Sequence, residues 1–186
     1  MFLAMVGIVL AFTVVGKSLY FAPHEEIAES ATVGSVSLEE YPSELLIPKL
    51  NISADVQAAG VTKDGKMAAP SNFTDVSWYM HGTLPGKVGS AVMAGHEDNG
   101  WNLAGVFKEL HQLEIGDDVY VVNKNGEKLH YKVVDKEIYP YDSPPLERVF
   151  NATDKARLNL ITCAGDWVPE AKTNDKRLVV FTELVS

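Results

Sequence analysis

Between residues 44 and 186 the chain is a succession of short β-type runs, each broken by Gly, Pro, Asn or Asp. That punctuation sets the fold class, because strands need only a handful of residues and long helices have no room to form. The clearest run is Lys128–Val134, where Leu129, Tyr131 and Val133 alternate with Lys128, His130 and Lys132 to give one dry and one wet face. It follows Asp118–Asn123 through Lys124-Asn125-Gly126, a hairpin turn signal. Further strands are predicted over Glu44–Ile52, with Pro48 marking an edge or bulge, and over Val88–Ala94, Arg157–Cys163 and Arg177–Val185. Only Gly105–Leu110 and part of 73–80 read as helical, and both are short. The expectation is an all-β barrel, closed or nearly so, with small helices between strands.

Upstream of this domain the composition changes twice. Residues 1–22 are apolar apart from Lys17, and a spanning helix needs roughly 20 such residues, so a transmembrane signal anchor is expected there. No small-x-small cleavage pattern precedes a break, which disfavours a removed signal peptide. No Lys or Arg precedes the span, so the positive-inside rule lends no support to an outward-facing C-terminus, and a few basic residues further upstream are expected. Residues 23–43 carry Glu25, Glu26, Glu29, Glu39 and Glu40 and no basic residue, the composition of an acidic, solvated stalk. The remaining stretch, 44–186, is long enough to bury one core. With 16 Lys+Arg against 25 Asp+Glu the net charge is −9, which excludes a basic face for nucleic acid. One cysteine excludes an internal disulfide and any Cys-rich metal centre.

That cysteine, Cys163, closes the run Leu158-Asn159-Leu160-Ile161-Thr162-Cys163, with Ala164-Gly165-Asp166 reading as a loop beyond it. In period two it shares a face with Arg157, Asn159 and Ile161, so it lies on the less apolar side at a strand end. A buried inert thiol is the commoner fate of a lone cysteine; the strand-edge position makes a nucleophile an even alternative. A nucleophilic thiol needs a base, and five histidines are available. His24 lies in the stalk, His111 follows a short amphipathic stretch, and His130 projects from a wet face. His81 sits in the loop Met80–Gly86, whereas His96 follows the apolar run Ala91–Ala94 at another strand-to-loop edge. Arg177 opens the last strand and offers positive charge for an oxyanion. Taken singly, each of these residues is as readily structural.

Taken in order, the segments resemble the sortase family, membrane-anchored cysteine transpeptidases of the bacterial surface. Ile47-Pro48-Lys49-Leu50-Asn51-Ile52 is similar to the opening strand, and Pro85–His96 to the segment that delivers the catalytic histidine. Val106–Leu110 with Ile115-Gly116-Asp117 is similar to the short helix and turn that follow. Leu160-Ile161-Thr162-Cys163 matches the Leu-x-Thr-Cys strand, and Arg177 falls where the family keeps its arginine. Asn159 departs from the threonine that the family often has there. The resemblance covers 44–186 and implies an eight-stranded barrel behind a single anchor, a class D/E/F-like arrangement on the extracytoplasmic side of the membrane. The absence of an obvious second C-terminal span leans towards a housekeeping type over a pilus-polymerising one.

The resemblance also implies a reaction. Cys163 attacks a Leu-Pro-x-Thr-Gly-like sorting signal of a surface protein, His96 is acid and then base, and Arg177 holds the oxyanion or substrate. The acceptor is an amine such as a peptidoglycan precursor or a pilin lysine. Thr162 and His81 are expected as substrate-positioning candidates, although alternation turns Thr162 to the opposite face. No cofactor is implied. Calcium assists some members of the family, but nothing here marks an all-oxygen site, and the pairs Glu97-Asp98 and Asp117-Asp118 read as solvated faces. Three other readings are weaker. An L,D-transpeptidase would place its nucleophile straight after His-Gly, whereas here Cys163 follows Ile161-Thr162. A hydrolase on the same scaffold would use water in place of the amine, and a non-enzymatic anchored β-barrel would bind a partner with an incidental cysteine.

Overall fold

The structure is a computed structural model that describes residues 37–98 and 103–185. Eight strands form a closed barrel: β1 (Pro42–Ile47), β2 (Ile52–Ala59), β3 (Val76–Tyr79), β4 (Gly89–Ala94), β5 (Asp118–Asn123), β6 (Lys128–Pro140), β7 (Ala156–Val168) and β8 (Thr173–Leu184). Their order around the barrel is β1-β2-β3-β4-β7-β8-β6-β5. β2 with β3 and β4 with β7 pair in parallel, and every other neighbour is antiparallel. The all-β closed-barrel expectation is met.

The interior follows the alternation read from sequence. Tyr131 and Val133 of β6 are buried beside Val119 and Val121 of β5, and Leu158 and Leu160 of β7 face Val180 of β8. Trp78, fully buried, packs edge-on against Tyr41 with ring centroids 5.0 Å apart, which closes the barrel near its first strand. The parallel β4–β7 pair sits at the centre of this wall, and β4 is buried over most of its length. This burial on both faces is why Ala91–Ala94 reads as continuously apolar rather than alternating, while Val88, ahead of the strand, is exposed.

Several expectations are corrected. The stretch 73–80 is not helical; it holds β3, whose Val76, Ser77 and Trp78 are enclosed between β2 and β4. Gly105–Leu110 is a turn leading into a 3-10 turn at Leu110–Gln112. Phe107, Leu110 and Leu113 are all buried at a spacing of three, and the bonds Leu110 N–H to Phe107 O (3.1 Å) and Leu113 N–H to Leu110 O (3.2 Å) have the i→i+3 pattern of that tighter helix. Pro48 neither breaks an edge strand nor makes a bulge; it starts a 3-10 turn, Pro48–Leu50, that separates β1 from β2. The segment after Cys163 is not a loop, because β7 continues to Val168 across a bulge between Ala164 and Trp167. One helix was not foreseen: α1, Leu146–Phe150, lies between β6 and β7. Its Val149 packs with Val179 and Phe181 of β8 on the outer barrel face.

The expected span 1–22 and most of the expected stalk lie outside the described residues. The described end of the stalk forms a 3-10 turn at Leu38–Glu40 before β1 begins at Pro42. Among the described residues no helix is long and apolar enough to cross a membrane.

Candidate active site

Three neighbouring strands bring together residues that lie 81 positions apart in the chain, from His96 to Arg177. In the parallel β4–β7 pair Ala94 is level with Ile161, and Gly95 N–H donates to Ile161 O at 3.1 Å. Two residues beyond each partner stand His96 and Cys163, so the register carries them to the same level. On the other side of β7, Cys163 is directly opposite Arg177 of β8. Residues opposite one another in an antiparallel pair share a face, so thiol and guanidinium lie on the same side of the sheet.

His96 is held from several directions. Its Nε2 lies 3.1 Å from Pro70 O, and its ring is tilted against Phe73 with centroids 4.8 Å apart. A carbonyl only accepts, so Nε2 carries the hydrogen of this bond. Phe107 N–H donates to the backbone carbonyl of His96 at 2.9 Å, which fixes the loop after β4. Gly95 is required beside it: a Cβ there would lie 2.6 Å from the Phe107 ring.

Arg177 is anchored within its own hairpin. Nη1 donates to Asn174 O (3.0 Å) and Lys176 O (2.8 Å), and Nη2 donates to Thr173 Oγ1 (2.6 Å). Of five N–H donors these bonds occupy three, so among the described residues Nε–H and one Nη2 hydrogen have no acceptor. The guanidinium also stands 6.0 Å from the Tyr141 ring centroid.

Cys163 is half-buried, and burial pushes its thiol above the ordinary range. The charge of Arg177 opposes that rise, Glu97 adds to it, the Thr173 hydroxyl opposes it, and Asp98 adds to it. Glu97 is itself raised, chiefly by burial, with Lys108 acting the other way. The resting sulfur is therefore a thiol rather than a thiolate near neutral pH.

Of the other expected residues, Thr162 is buried and faces inward, where its Oγ1 donates to Gly95 O at 2.8 Å. It ties the nucleophile strand to the residue before His96 instead of facing a substrate. His81 is exposed beyond the end of β3, edge-on to Tyr79 at 5.8 Å. Because Trp78 pairs with Met93, His81 lies level with the start of β4 and β7, roughly 20 Å along the sheet from Cys163 at about 3.3 Å per residue. The fold does not bring His81 to the thiol. His24 lies outside the described residues. Asp117 pairs with Lys49 at 2.8 Å, Asp118 with His130 and Lys132 at 2.7 Å each, and Lys108 stands 3.7 Å from both Glu97 and Asp98. Among the described residues no group of three or more His, Cys, Asp or Glu could hold a metal ion.

Glu97, read from sequence as part of a solvated acidic pair, is partly buried in the fold, and its charge acts on the Cys163 thiol. Thr173 lies outside the motif series and meets Arg177 only through the β7–β8 hairpin, so no local signal could have found it.

A closed eight-stranded barrel with a thiol between a histidine-bearing strand and an arginine-bearing strand defines a single-cysteine enzyme scaffold. The family model described as Sortase domain matches residues 45–185, and the chain belongs to the sortase family, in general cysteine transpeptidases. Similar solved structures include sortase C-1 from Actinomyces oris, 25% identical, covering 77% of this chain and 72% of that one with a TM-score of 0.58. The pilus-related sortase C of Group B Streptococcus is 22% identical, covers 88% and 75%, and has a TM-score of 0.62. Sortase C from Clostridium perfringens SM101 is 21% identical, covers 86% and 73%, and has a TM-score of 0.57. No curated protein matches the chain.

Proposed function

We propose that the chain cleaves a Leu-Pro-x-Thr-Gly-like sorting signal and transfers the acyl part to an amine at the cell surface, with Cys163 as nucleophile. The observation that carries this reading is the placement of Cys163 level with His96 on one side and opposite Arg177 on the other. His96 takes the thiol proton as the sulfur attacks the threonine carbonyl carbon, and a C–S bond forms. Negative charge moves to the carbonyl oxygen, where the two N–H donors of Arg177 without a protein acceptor can receive it. The C–N bond then breaks, and His96 gives a proton to the departing amine. A thioester remains on Cys163. An incoming amine attacks it, His96 takes the amine's proton, the C–S bond breaks, and the new amide leaves.

In this reading residues 1–22 anchor the chain in the membrane with the barrel outside. Its partners are surface proteins carrying a sorting signal, and the acceptor is a peptidoglycan precursor amine or a pilin lysine. The resemblance of Leu160–Cys163 and Pro85–His96 to the family's motifs supports it, as does the family match. The test is to incubate the full chain with a Leu-Pro-x-Thr-Gly peptide and an oligoglycine, and to read the products by mass spectrometry. A ligated product is expected, lost in Cys163→Ala and in His96→Ala and reduced at least a hundredfold in Arg177→Gln, as for removal of an oxyanion donor. Cleavage without ligation would mean a hydrolase. A ligated product from Cys163→Ala would overturn the assignment.

A further inference from the structure

Between β2 and β3 the segment 70–75 meets the imidazole of His96 twice. Pro70, buried, accepts from Nε2 at 3.1 Å, and the Phe73 ring lies 4.8 Å from the imidazole at a tilt of 47°. Between these two contacts sits Asn72, only 8% exposed. Its Oδ1 accepts from Thr74 N–H (2.9 Å), Asp75 N–H (2.8 Å) and Thr74 Oγ1 (3.0 Å), and its Nδ2 donates to Asp75 Oδ2 (2.7 Å). Gln57 of β2 completes a knot. Its Nε2 donates to the same Asp75 oxygen at 2.7 Å, and its Oε1 accepts from Ser71 N–H (3.0 Å) and Ser71 Oγ (3.1 Å).

An amide that accepts from the backbone two and three residues ahead closes a turn. Buried as it is, it also resists displacement, because moving it would strand polar groups away from water. Gln57 stands opposite Ser77 in the β2–β3 ladder, so the turn is fastened to the barrel. On the far side Val106 N–H donates to Phe73 O at 2.8 Å, and the next amide, Phe107 N–H, donates to His96 O at 2.9 Å. One circuit therefore runs from β2 through Asn72 to the imidazole and returns through 106–107 to the backbone of the same histidine. In a neutral imidazole the bond made by one ring nitrogen decides which nitrogen carries the proton. Displacing the Pro70 carbonyl would thus release both the direction of the His96 ring and its tautomer.

We propose that Asn72 is a positioning residue of this acyl transfer, holding Pro70 and Phe73 against His96 and so fixing the imidazole in the orientation and tautomer that serve Cys163. The role rests on the proposed cysteine chemistry with His96 as base and acid. It acts through the imidazole and takes no part in substrate binding. Loss of Asn72 is therefore expected to lower kcat and leave KM nearly unchanged. The fall should be roughly ten- to a hundredfold, the cost of misplacing a catalytic group by an ångström or less.

Three variants test it. Asn72→Ala removes all four bonds of the amide. Asn72→Ser keeps an oxygen that accepts from the backbone ahead, more weakly, and Gln57→Leu unfastens the turn from β2. In the full chain, labelled with heavy nitrogen at histidine, the His96 ring resonances are assigned by their loss in His96→Ala. They are read at pH 8, where an ordinary imidazole is neutral. The kcat and KM of peptide-to-oligoglycine transfer are measured beside them. The wild type is expected to show a single tautomer protonated at Nε2, and Asn72→Ala a mixture of two with kcat lowered. Asn72→Ser and Gln57→Leu should give smaller changes of the same sign. Asn159→Ala, which loosens α1, should lose stability yet keep the His96 pattern, and this separates positioning from general destabilisation. Wild-type His96 resonances in Asn72→Ala would overturn the proposal, whatever the rate. If the alanine variant does not fold, the serine and leucine variants decide on the same reading, and unchanged His96 resonances in both would overturn it. Absence of transfer by the wild type would sink the acyl-transfer reading alone, because the ring resonances report how His96 is held with or without a substrate.

Discussion

At the scale of the residue, the ionisation of Cys163 is a contest between burial and a few named charges. Burial acts most, Arg177 opposes it, and Glu97 reinforces it. Glu97→Gln removes the stronger of the two reinforcing charges, so more thiolate should exist at any fixed pH. Alkylation of Cys163 at pH 7.5 is expected to rise about twofold, the effect of one charge several ångströms away in a partly wet site. Arg177→Gln should act with the opposite sign and slow it. Equal rates for Glu97→Gln and wild type would show that the carboxylate is screened from the sulfur. The contest also explains what was legible. Cys163, His96 and Arg177 stood out because each lies in an ordered series of motifs. The fold places Cys163 on β7, Arg177 opposite it on β8, and His96 just past the end of β4. The strand-edge context after Ala91–Ala94 favours His96 over His81 in the sequence, but it does not give the distance of His81 from the thiol. The register of β3 against β4, which sets its distance from the thiol, is a property of pairing and leaves no trace in Met80–Gly86.

At the scale of the element, α1 shows how a five-residue helix escapes a sequence reading and still shapes the wall beside the site. Leu146–Phe150 is shorter than two helical turns, so no apolar period can develop. Its hold comes from elsewhere. Val149 is buried against Val179 and Phe181, Arg148 pairs with Asp135 and Glu137 of β6, and Phe150 meets Tyr79 edge-on at 5.7 Å. Asn159 completes the attachment, its Nδ2 donating to Val149 O at 2.6 Å. In sequence Asn159 reads as part of a more polar face, yet it is fully buried because α1 covers it. Its Oδ1 has no partner among the described residues, so the amide is retained for the single bond that clamps α1. Asn159→Ala strands the Val149 carbonyl and is expected to cost about 1–3 kcal/mol in urea unfolding. Hydrogen exchange should locate the loss, with amides of 146–151 losing protection before those of the barrel strands. Uniform loss across the barrel would mean that Asn159 supports β7 and not α1.

At the scale of the molecule, the alternation of Lys128–Val134 announced a sheet with one dry face, but not which strands would meet. Closure depends on pairs such as Ala94 with Ile161 and Val133 with Thr182, remote in sequence and invisible to any local pattern. Tyr131 links the two levels. It belongs to the dry face read from sequence, and in the barrel its ring is fully buried while its Oη accepts from Gly86 N–H at 2.7 Å. That bond joins β6 to the turn before β4, the strand that leads to His96. Burial is the larger influence on the phenol and the Gly86 bond the smaller, and together they leave its pKa pushed up to about 12 from 10.0. The sign follows by linkage. Below pH 10 the phenol is protonated both folded and unfolded, and its contribution is whole. Above pH 10 the unfolded chain releases the proton while the barrel retains it, so stability falls as pH rises towards 12. Two units correspond to a loss of about 2–3 kcal/mol across that window. Tyr131→Phe removes the titration and leaves Gly86 N–H without its acceptor, at a cost of about 1–3 kcal/mol at pH 8. Between pH 10 and 12 the wild type should therefore lose stability faster than Tyr131→Phe, and the gap between their urea midpoints should narrow or reverse. Parallel decline of the two proteins would show that the phenol ionises as readily inside the barrel as outside it.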